Sequence, residues 1–286
     1  MFTFPPLGRC HRSRGIVTLA ALTLAAAARA GPEHVPVRPA EGWTMTVVAE
    51  RLPAVDNIAF TADGTLYATL ERKAPDGALV RIESGGGEMV LSGLDRPDGL
   101  AARGATLYIA EEVTQGRVIE FSPADGSRRV LARVDGAEGI DFLPDGDLLV
   151  SEDRPGGRIL RLAADGTLTP IATGLRRPEG LCVDRAGRIF VAETLSGRIL
   201  EIRERAKPRV VVLGLNQPDQ IECGADGSLW ITEDARPGRL LRYAGGRLET
   251  IADGLDAPQG IALRPDGSVY VAEQGRGRIL HLTGSE

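Results

Sequence analysis

Six segments of the chain repeat one another about every forty residues, and no other feature constrains the fold as strongly. They run "VDNIAFTADGTLYATLE" from Val55, "PDGLAARGATLYIAE" from Pro97, "AEGIDFLPDGDLLVSE" from Ala137, "PEGLCVDRAGRIFVAE" from Pro178, "PDQIECGADGSLWITE" from Pro218 and "PQGIALRPDGSVYVAE" from Pro258. Their aligned aliphatics Ile58, Leu100, Ile140, Leu181, Ile221 and Ile261 step by 42, 40, 41, 40 and 40 residues. Units of that length built from short alternating strands and turns are propeller blades. An all-β, six-bladed β-propeller is therefore expected.

Each unit parses into four antiparallel strands. Alternating aliphatics form the innermost strand, and Asp63-Gly64, Asp145-Gly146, Asp226-Gly227 or Asp266-Gly267 turns it into an aromatic and β-branched second strand. A Gly-Arg-aliphatic start, as at Gly116-Arg117-Val118 or Gly238-Arg239-Leu240, opens the third, and turns such as Asp165-Gly166 lead to the fourth. The sixth unit ends without an outer strand of its own. The stretch Trp43–Ala49 resembles the fourth strands "LETIADGL" and "LTPIATGL", so the N-terminus is expected to supply the missing strand and close the ring.

Residues 1–30 read as a signal peptide: Arg9, Arg12 and Arg14, an apolar run from Gly15 to Ala28, then a small-residue cleavage site that places the cut near Ala30/Gly31. The run is too short to span a bilayer, and no later segment is apolar enough. Residues 31–42 form an N-terminal leader and 43–286 the propeller, in a periplasmic or secreted protein. Cleavage takes four arginines and no acid from a formal charge of −5, leaving −9. That balance argues against nucleic acid and for cations or neutral small molecules. With the ring closed and no long apolar patch readable, a monomer is expected. Cys182 and Cys223 occupy neighbouring alignment positions of successive units, which strand alternation turns to opposite faces, so two buried free thiols are expected rather than a bridge.

Two acidic positions recur on one face, because the residue entering the innermost strand and the residue leaving the second strand meet at the same rim. The first reads Asp56, Asp98, Glu138, Glu179, Asp219 and Gln259, followed by Asn57, Gly99, Gly139, Gly180, Gln220 and Gly260. Five carboxylates around one axis repel unless a hard divalent cation, Ca²⁺ above all, binds them, or unless some share protons. Taken one unit at a time, each acid has a simpler role, accepting backbone N–H groups in its turn. The second position reads Glu71, Glu111, Glu152, Glu193, Glu233 and Glu273. Five of these precede the arginine of the Gly-Arg start by five or six residues, the spacing of a structural ion pair across a hairpin. Blade 1 has Ala78 instead, which leaves Glu71 available to a substrate. Deeper in the innermost strands, Asp141 and Glu222 stand where other units have small residues, either extending a polar channel or pairing with an arginine. His11, His34 and His281 all lie away from this mouth, and no nucleophile-elbow, Walker or zinc-cysteine pattern is present.

With these residues the whole mature chain resembles the superfamily of six-bladed calcium-dependent propellers that holds gluconolactonases, the senescence marker protein and NHL-repeat proteins. In the lactonases, acidic and asparagine residues opening the innermost strands bind the metal. Pro97-Asp98-Gly99, Pro178-Glu179-Gly180 and Pro218-Asp219 match that pattern, and "VDNI" from Val55 resembles a metal-binding string of the paraoxonases. "WITE" at Trp230 is similar to a repeat of the streptogramin lyases, and "FLPDGDLLVSED" from Phe142 to soluble quinoprotein sugar dehydrogenases. The histidines of those lyases and dehydrogenases have no counterpart, which favours a hydrolase. The lactonases' Asn-Gly string is missing too, with acids in its place.

Two functions follow. The first is a metal-dependent hydrolase of lactones or related esters, acting on a small-molecule substrate. Asp56, Asp98, Glu138, Glu179 and Asp219 would hold the cation, Glu179 and Asp219 would be catalytic, and Asn57, Gln220, Gln259 and Glu71 would contact substrate. The second is a non-catalytic NHL-type propeller that binds a ligand or protein partner on the same face.

Overall fold

The computed structural model describes residues 35–203 and 206–285, together with Met1 and Thr3. The proposed signal peptide and its cleavage site lie outside the described residues that build the fold. Among the described residues, six antiparallel sheets form the blades. Their innermost strands are Val55–Phe60, Pro97–Arg103, Ala137–Phe142, Pro178–Val183, Pro218–Cys223 and Pro258–Leu263. Each of the first five is followed in register by a second, third and fourth strand, for example Leu66–Leu70, Gly77–Glu83 and Gly86–Leu94 in blade 1. Blade 6 carries only three strands of its own, and Trp43–Ala49 pairs antiparallel with Arg278–Gly284 to complete it. The expected closure is therefore present, and it covers the edge that an open ring would expose. The leader adds something the repeats do not announce: Arg38–Pro39 extends blade 5 as a fifth strand, pairing with Asp253 and Ala252.

The hydrophobic core is divided among the blade interfaces. Six buried clusters occur, and each joins neighbouring blades. One unites Ile58, Ala68 and Val80 of blade 1 with Ala262, Ala272 and Ile279 of blade 6. Another unites Leu79 and Leu94 of blade 1 with Leu107, Ile109 and Phe121 of blade 2. Strand alternation explains the arrangement: each sheet has two apolar faces, and each face packs on the next blade. No helix among the described residues is long and apolar enough to cross a membrane.

The cysteines correct the sequence expectation, for Cys182 and Cys223 form a disulfide with Cα atoms 5.6 Å apart. Alternation governs faces within one strand. These cysteines lie on the innermost strands of two different blades, which run close together near the axis, so the alternation argument does not transfer across the gap.

Candidate metal and ligand site at the strand-entry mouth

Every innermost strand begins from the same backbone device. The residue before it is left-handed: Ala54, Arg96, Gly136, Arg177, Gln217 and Ala257 have φ between 45° and 60°. Five of the six are not glycine, and such clustered strain is characteristic of sites where chain direction matters. Each of these residues accepts, at its carbonyl, the backbone N–H of the residue leaving the second strand. The donors are Glu71, Glu112, Asp153, Thr194, Asp234 and Gln274, at 2.8–3.0 Å. These six hydrogen bonds define two concentric rings at one mouth. Asp56, Asp98, Glu138, Glu179, Asp219 and Gln259 face the axis, with Glu71, Glu112, Asp153, Thr194, Asp234 and Gln274 around them.

This corrects the alignment of Glu71. Val55 pairs with Leu70 in blade 1, whereas Pro97, Pro178, Pro218 and Pro258 pair with Glu111, Glu193, Glu233 and Glu273. Leu70 is thus the true counterpart of those glutamates, and it faces Ala78 where blade 4 sets Glu193 opposite Arg198. An apolar pair replaces the ion pair, and Glu71 belongs to the ring of Glu112 and Asp153. Nor is Glu71 unpartnered, because Arg96 Nε donates to it at 2.7 Å and Gln274 Nε2 at 3.2 Å. Glu112, Asp153, Thr194, Asp234 and Gln274 escaped the sequence reading. The signal was available, since each directly follows the recurring glutamate.

The recurring glutamates themselves form a paired collar. Glu111, Glu152, Glu193, Glu233 and Glu273 each bond the arginine of the Gly-Arg start, for example Arg158 Nε to Glu152 at 2.6 Å and Arg239 Nε to Glu233 at 2.6 Å. Four also accept the backbone N–H of the chain entering their own blade, from Asp95, Arg176, Asn216 and Asp256, at 2.7–2.9 Å. Burial alone would raise Glu152 and Glu193, but their arginines win and hold both carboxyls below the usual range.

The axial ring lacks such compensation. Oxygens of Glu138, Glu179 and Asp219 lie within 4.8 Å of one another, as do those of Asp56, Glu71 and Asp98, and those of Glu112, Glu138 and Asp153. Two arginines reach into this set. Arg96 bonds Glu71 and Glu112; Arg177 bonds Asp153 at 2.7 Å and Glu179 at 2.9 Å. Burial, then the neighbouring carboxylates, push Asp56, Asp98, Glu138 and Asp219 far above the ordinary carboxylate range. Burial likewise carries Glu179 up to about 8 although Thr194 and Arg177 oppose it, and Glu112 up to about 7 against Arg96. The ring can therefore take up a cation or hold protons, as the axial convergence implies.

Close approach of the innermost strands holds the geometry. A Cβ on Gly99 would stand 1.9 Å from the Glu138 carbonyl, and one on Gly180 2.7 Å from that of Asp219, so only glycine fits there. Hydroxyls in alternate blades pin the backbone of three residues of the axial ring. Thr69 donates to Asp98 O at 3.0 Å, Ser151 to Glu179 O at 2.6 Å and Thr232 to Gln259 O at 2.8 Å. Asn57 and Gln220 are buried, with side-chain oxygens accepting the N–H of Ile58 and Ile221 at 3.0 and 3.1 Å. The hydrogen-bonding groups around Gln259 assign its amide nitrogen to the side facing Asp219, where it can donate to both carboxylate oxygens at 2.9 Å. Gln274 Nε2 donates to Asp56 at 2.8 Å.

Asp141 and Glu222 lie elsewhere, toward the other end of the channel, and the arginine partner allowed by the sequence is not among the described residues. Asp141 accepts the N–H groups of Phe142 and Val183, both at 2.7 Å, and burial raises its carboxyl to about 6.

The fold is shared with solved structures at low sequence identity. A gluconolactonase from Xanthomonas campestris superposes with a TM-score of 0.70 at 16% identity, over 88% of this chain and 98% of that one. A streptogramin B lyase superposes with a TM-score of 0.60 at 17% identity, over 85% of this chain and 98% of that one. No protein-family model matches the sequence, and no curated protein matches it. At these identities the likeness establishes the six-bladed propeller.

Proposed function

We propose that the protein is an exported, divalent-metal-dependent hydrolase of lactones or related esters, with its site at the strand-entry mouth. The observation that carries this reading is the buried axial ring, whose carboxylates outnumber the arginines reaching them. Its donors are all hard oxygens, the set suited to Ca²⁺. Glu138, Glu179 and Asp219 are the best-grouped ligands, and Asp56 and Asp98 complete the ring from the opposite side. A cation bound there would supply Lewis-acid polarisation of a substrate carbonyl.

The chain's own groups supply the rest. Glu179, fixed by Thr194 and Arg177, is placed to take a proton from water and return it to the leaving oxygen. Asp219 is oriented by Gln259. Glu71, at the rim between Arg96 and Gln274, borders the space a substrate would enter. The disulfide favours an oxidising compartment, in keeping with the signal-peptide reading of residues 1–30. The gluconolactonase with the same fold supports the substrate class, and no histidine lies among the described residues of this mouth to support a histidine-based lyase.

Calorimetric titration of the chelator-stripped protein with Ca²⁺, followed by a lactone and ester screen, tests the proposal. Saturable binding near one ion per chain, lost in an Asp98→Asn/Asp219→Asn double variant, is expected. Failure to bind Ca²⁺, Mg²⁺, Mn²⁺ or Zn²⁺ at millimolar concentration would overturn it and leave a ligand-binding propeller.

A further inference from the structure

The channel has a second mouth, where the Asp-Gly turns join the first and second strands, and it opens into a cavity of about 750 Å³. Its floor includes Ile58, Leu100, Ile140 and Ile261, members of the aliphatic layer that separates it from the axial acids. Ala59, Ala101 and Ala262 leave room along the wall, and at their aligned position blades 3 and 5 place Asp141 and Glu222. The two acids are not equivalent. Asp141 is satisfied by two backbone N–H groups, whereas the Glu222 carboxyl has no hydrogen bond or ion pair with any described residue.

Three arginines, Arg185, Arg242 and Arg264, line the rim, and two of them are engaged by neighbours. Arg242 pairs with Asp226 at 2.6 Å and lies 5.7 Å over the Trp230 ring, and Arg264 lies 4.9 Å over Phe60. The space below is a chamber lined by both polar and apolar side chains, with aromatic rings in its wall, a volume ample for a small organic molecule, and one carboxyl, that of Glu222, which no described residue bonds. From this geometry we infer a second ligand site, independent of the metal site, that binds a small primary ammonium ion with an apolar body. The ammonium group bonds Glu222 and the body lies against the aliphatic floor and Trp230. Burial, reinforced by Asp141, pushes the Glu222 carboxyl well up, as expected of a group whose counter-charge is missing.

Both tryptophans of the chain, Trp43 and Trp230, line this cavity, so intrinsic fluorescence reports on this mouth. The protein is titrated with 2-phenylethylammonium, and with 2-phenylethanol and 3-phenylpropionate as neutral and anionic counterparts. Saturable fluorescence change below about 1 mM is expected for the ammonium ion, roughly tenfold weaker for the alcohol and absent for the carboxylate. Glu222→Gln should weaken the ammonium ion about tenfold and leave Ca²⁺ titration unchanged. Ala101→Leu, which fills the chamber and keeps the carboxyl, should also abolish binding. Equal binding of ammonium ion and alcohol, binding unaffected by Glu222→Gln in a variant with an unaltered melt, or no response at about 10 mM would each overturn the inference.

Discussion

Two rings of acid share the strand-entry mouth and differ in one respect that decides what each can do. In the collar, Glu111, Glu152, Glu193, Glu233 and Glu273 are buried and each has its own arginine. At the axis, Asp56, Glu138 and Glu179 are equally buried, Asp98 and Asp219 nearly so, and Arg177 touches only Glu179 among them. Repetition in sequence is the same for both. A buried carboxylate with a guanidinium beside it is a structural strut, and one surrounded by other carboxylates is a demand for a cation or a proton. Of the residues that follow the collar glutamates, Glu112 and Asp153 stand within reach of Glu138 at the axis and pair with Arg96 and Arg177, so neighbours in sequence have different electrostatic surroundings.

The largest effect should come from the axis. Glu179→Gln is expected to lower kcat for a lactone about 10²–10⁴-fold, the range for losing a positioned proton-transfer group, with the fold intact by circular dichroism. The same substitution in the collar, Glu233→Gln, should leave turnover and cation binding within about twofold of wild type. An equal loss of activity in both variants would erase the distinction.

Stability against pH should separate the rings by sign. The axial carboxyls bind protons more tightly folded than unfolded, so without metal the folded state gains from protonation, and stability falls as pH rises from the ordinary 4.5 of a glutamate to about 8 at Glu179. Chelated protein should therefore melt higher at pH 5 than at pH 8, by a difference on the order of a few kcal/mol, and Ca²⁺ should shrink that gap. The collar acts in reverse. Glu152 and Glu193 are held down by their arginines, so their contribution is present above the unfolded value of 4.5 and disappears as pH falls through their lowered folded values. A stability maximum between the two regimes is expected, and a melt that rises steadily through pH 8 in chelator would contradict it.

A smaller change should follow Glu233→Gln itself. The amide keeps a hydrogen bond to the Asn216 N–H, but the charge opposite the part-exposed Arg239 is lost, so unfolding in urea should show a loss of about 1–3 kcal/mol. Smallest of all is the transplant Leu70→Glu/Ala78→Arg, which writes the collar's pair into the one blade that lacks it. Because Leu70 and Ala78 are fully packed in the cluster between blades 1 and 6, the new pair should be neutral or cost up to about 3 kcal/mol, and gain nothing.

Blade number, strand order, the borrowed closing strand Trp43–Ala49 and the collar pairs were all legible in the sequence. They depend on local spacing: period two within strands, Asp-Gly turns, and a five- or six-residue interval between glutamate and arginine. The five axial acids were legible as a set because each opens a strand that must converge on the axis. Three things were not. Glu71 was misaligned because a glutamate ending a strand looks alike whether or not it is one residue late, and the strand register together with the hydrogen bond of its N–H to Ala54 reveals the offset. The Cys182–Cys223 bridge depends on how two innermost strands approach across a blade boundary, a distance that no within-strand rule contains. The cavity at the turn mouth, with Glu222 unpaired beside a satisfied Asp141, arises because six separate segments meet around an axis. Sequence alone determines what each repeat is, since strands and turns are local. Which side chains share a ring, a charge or a space is decided only when the blades close on one another, because those contacts join residues of different repeats.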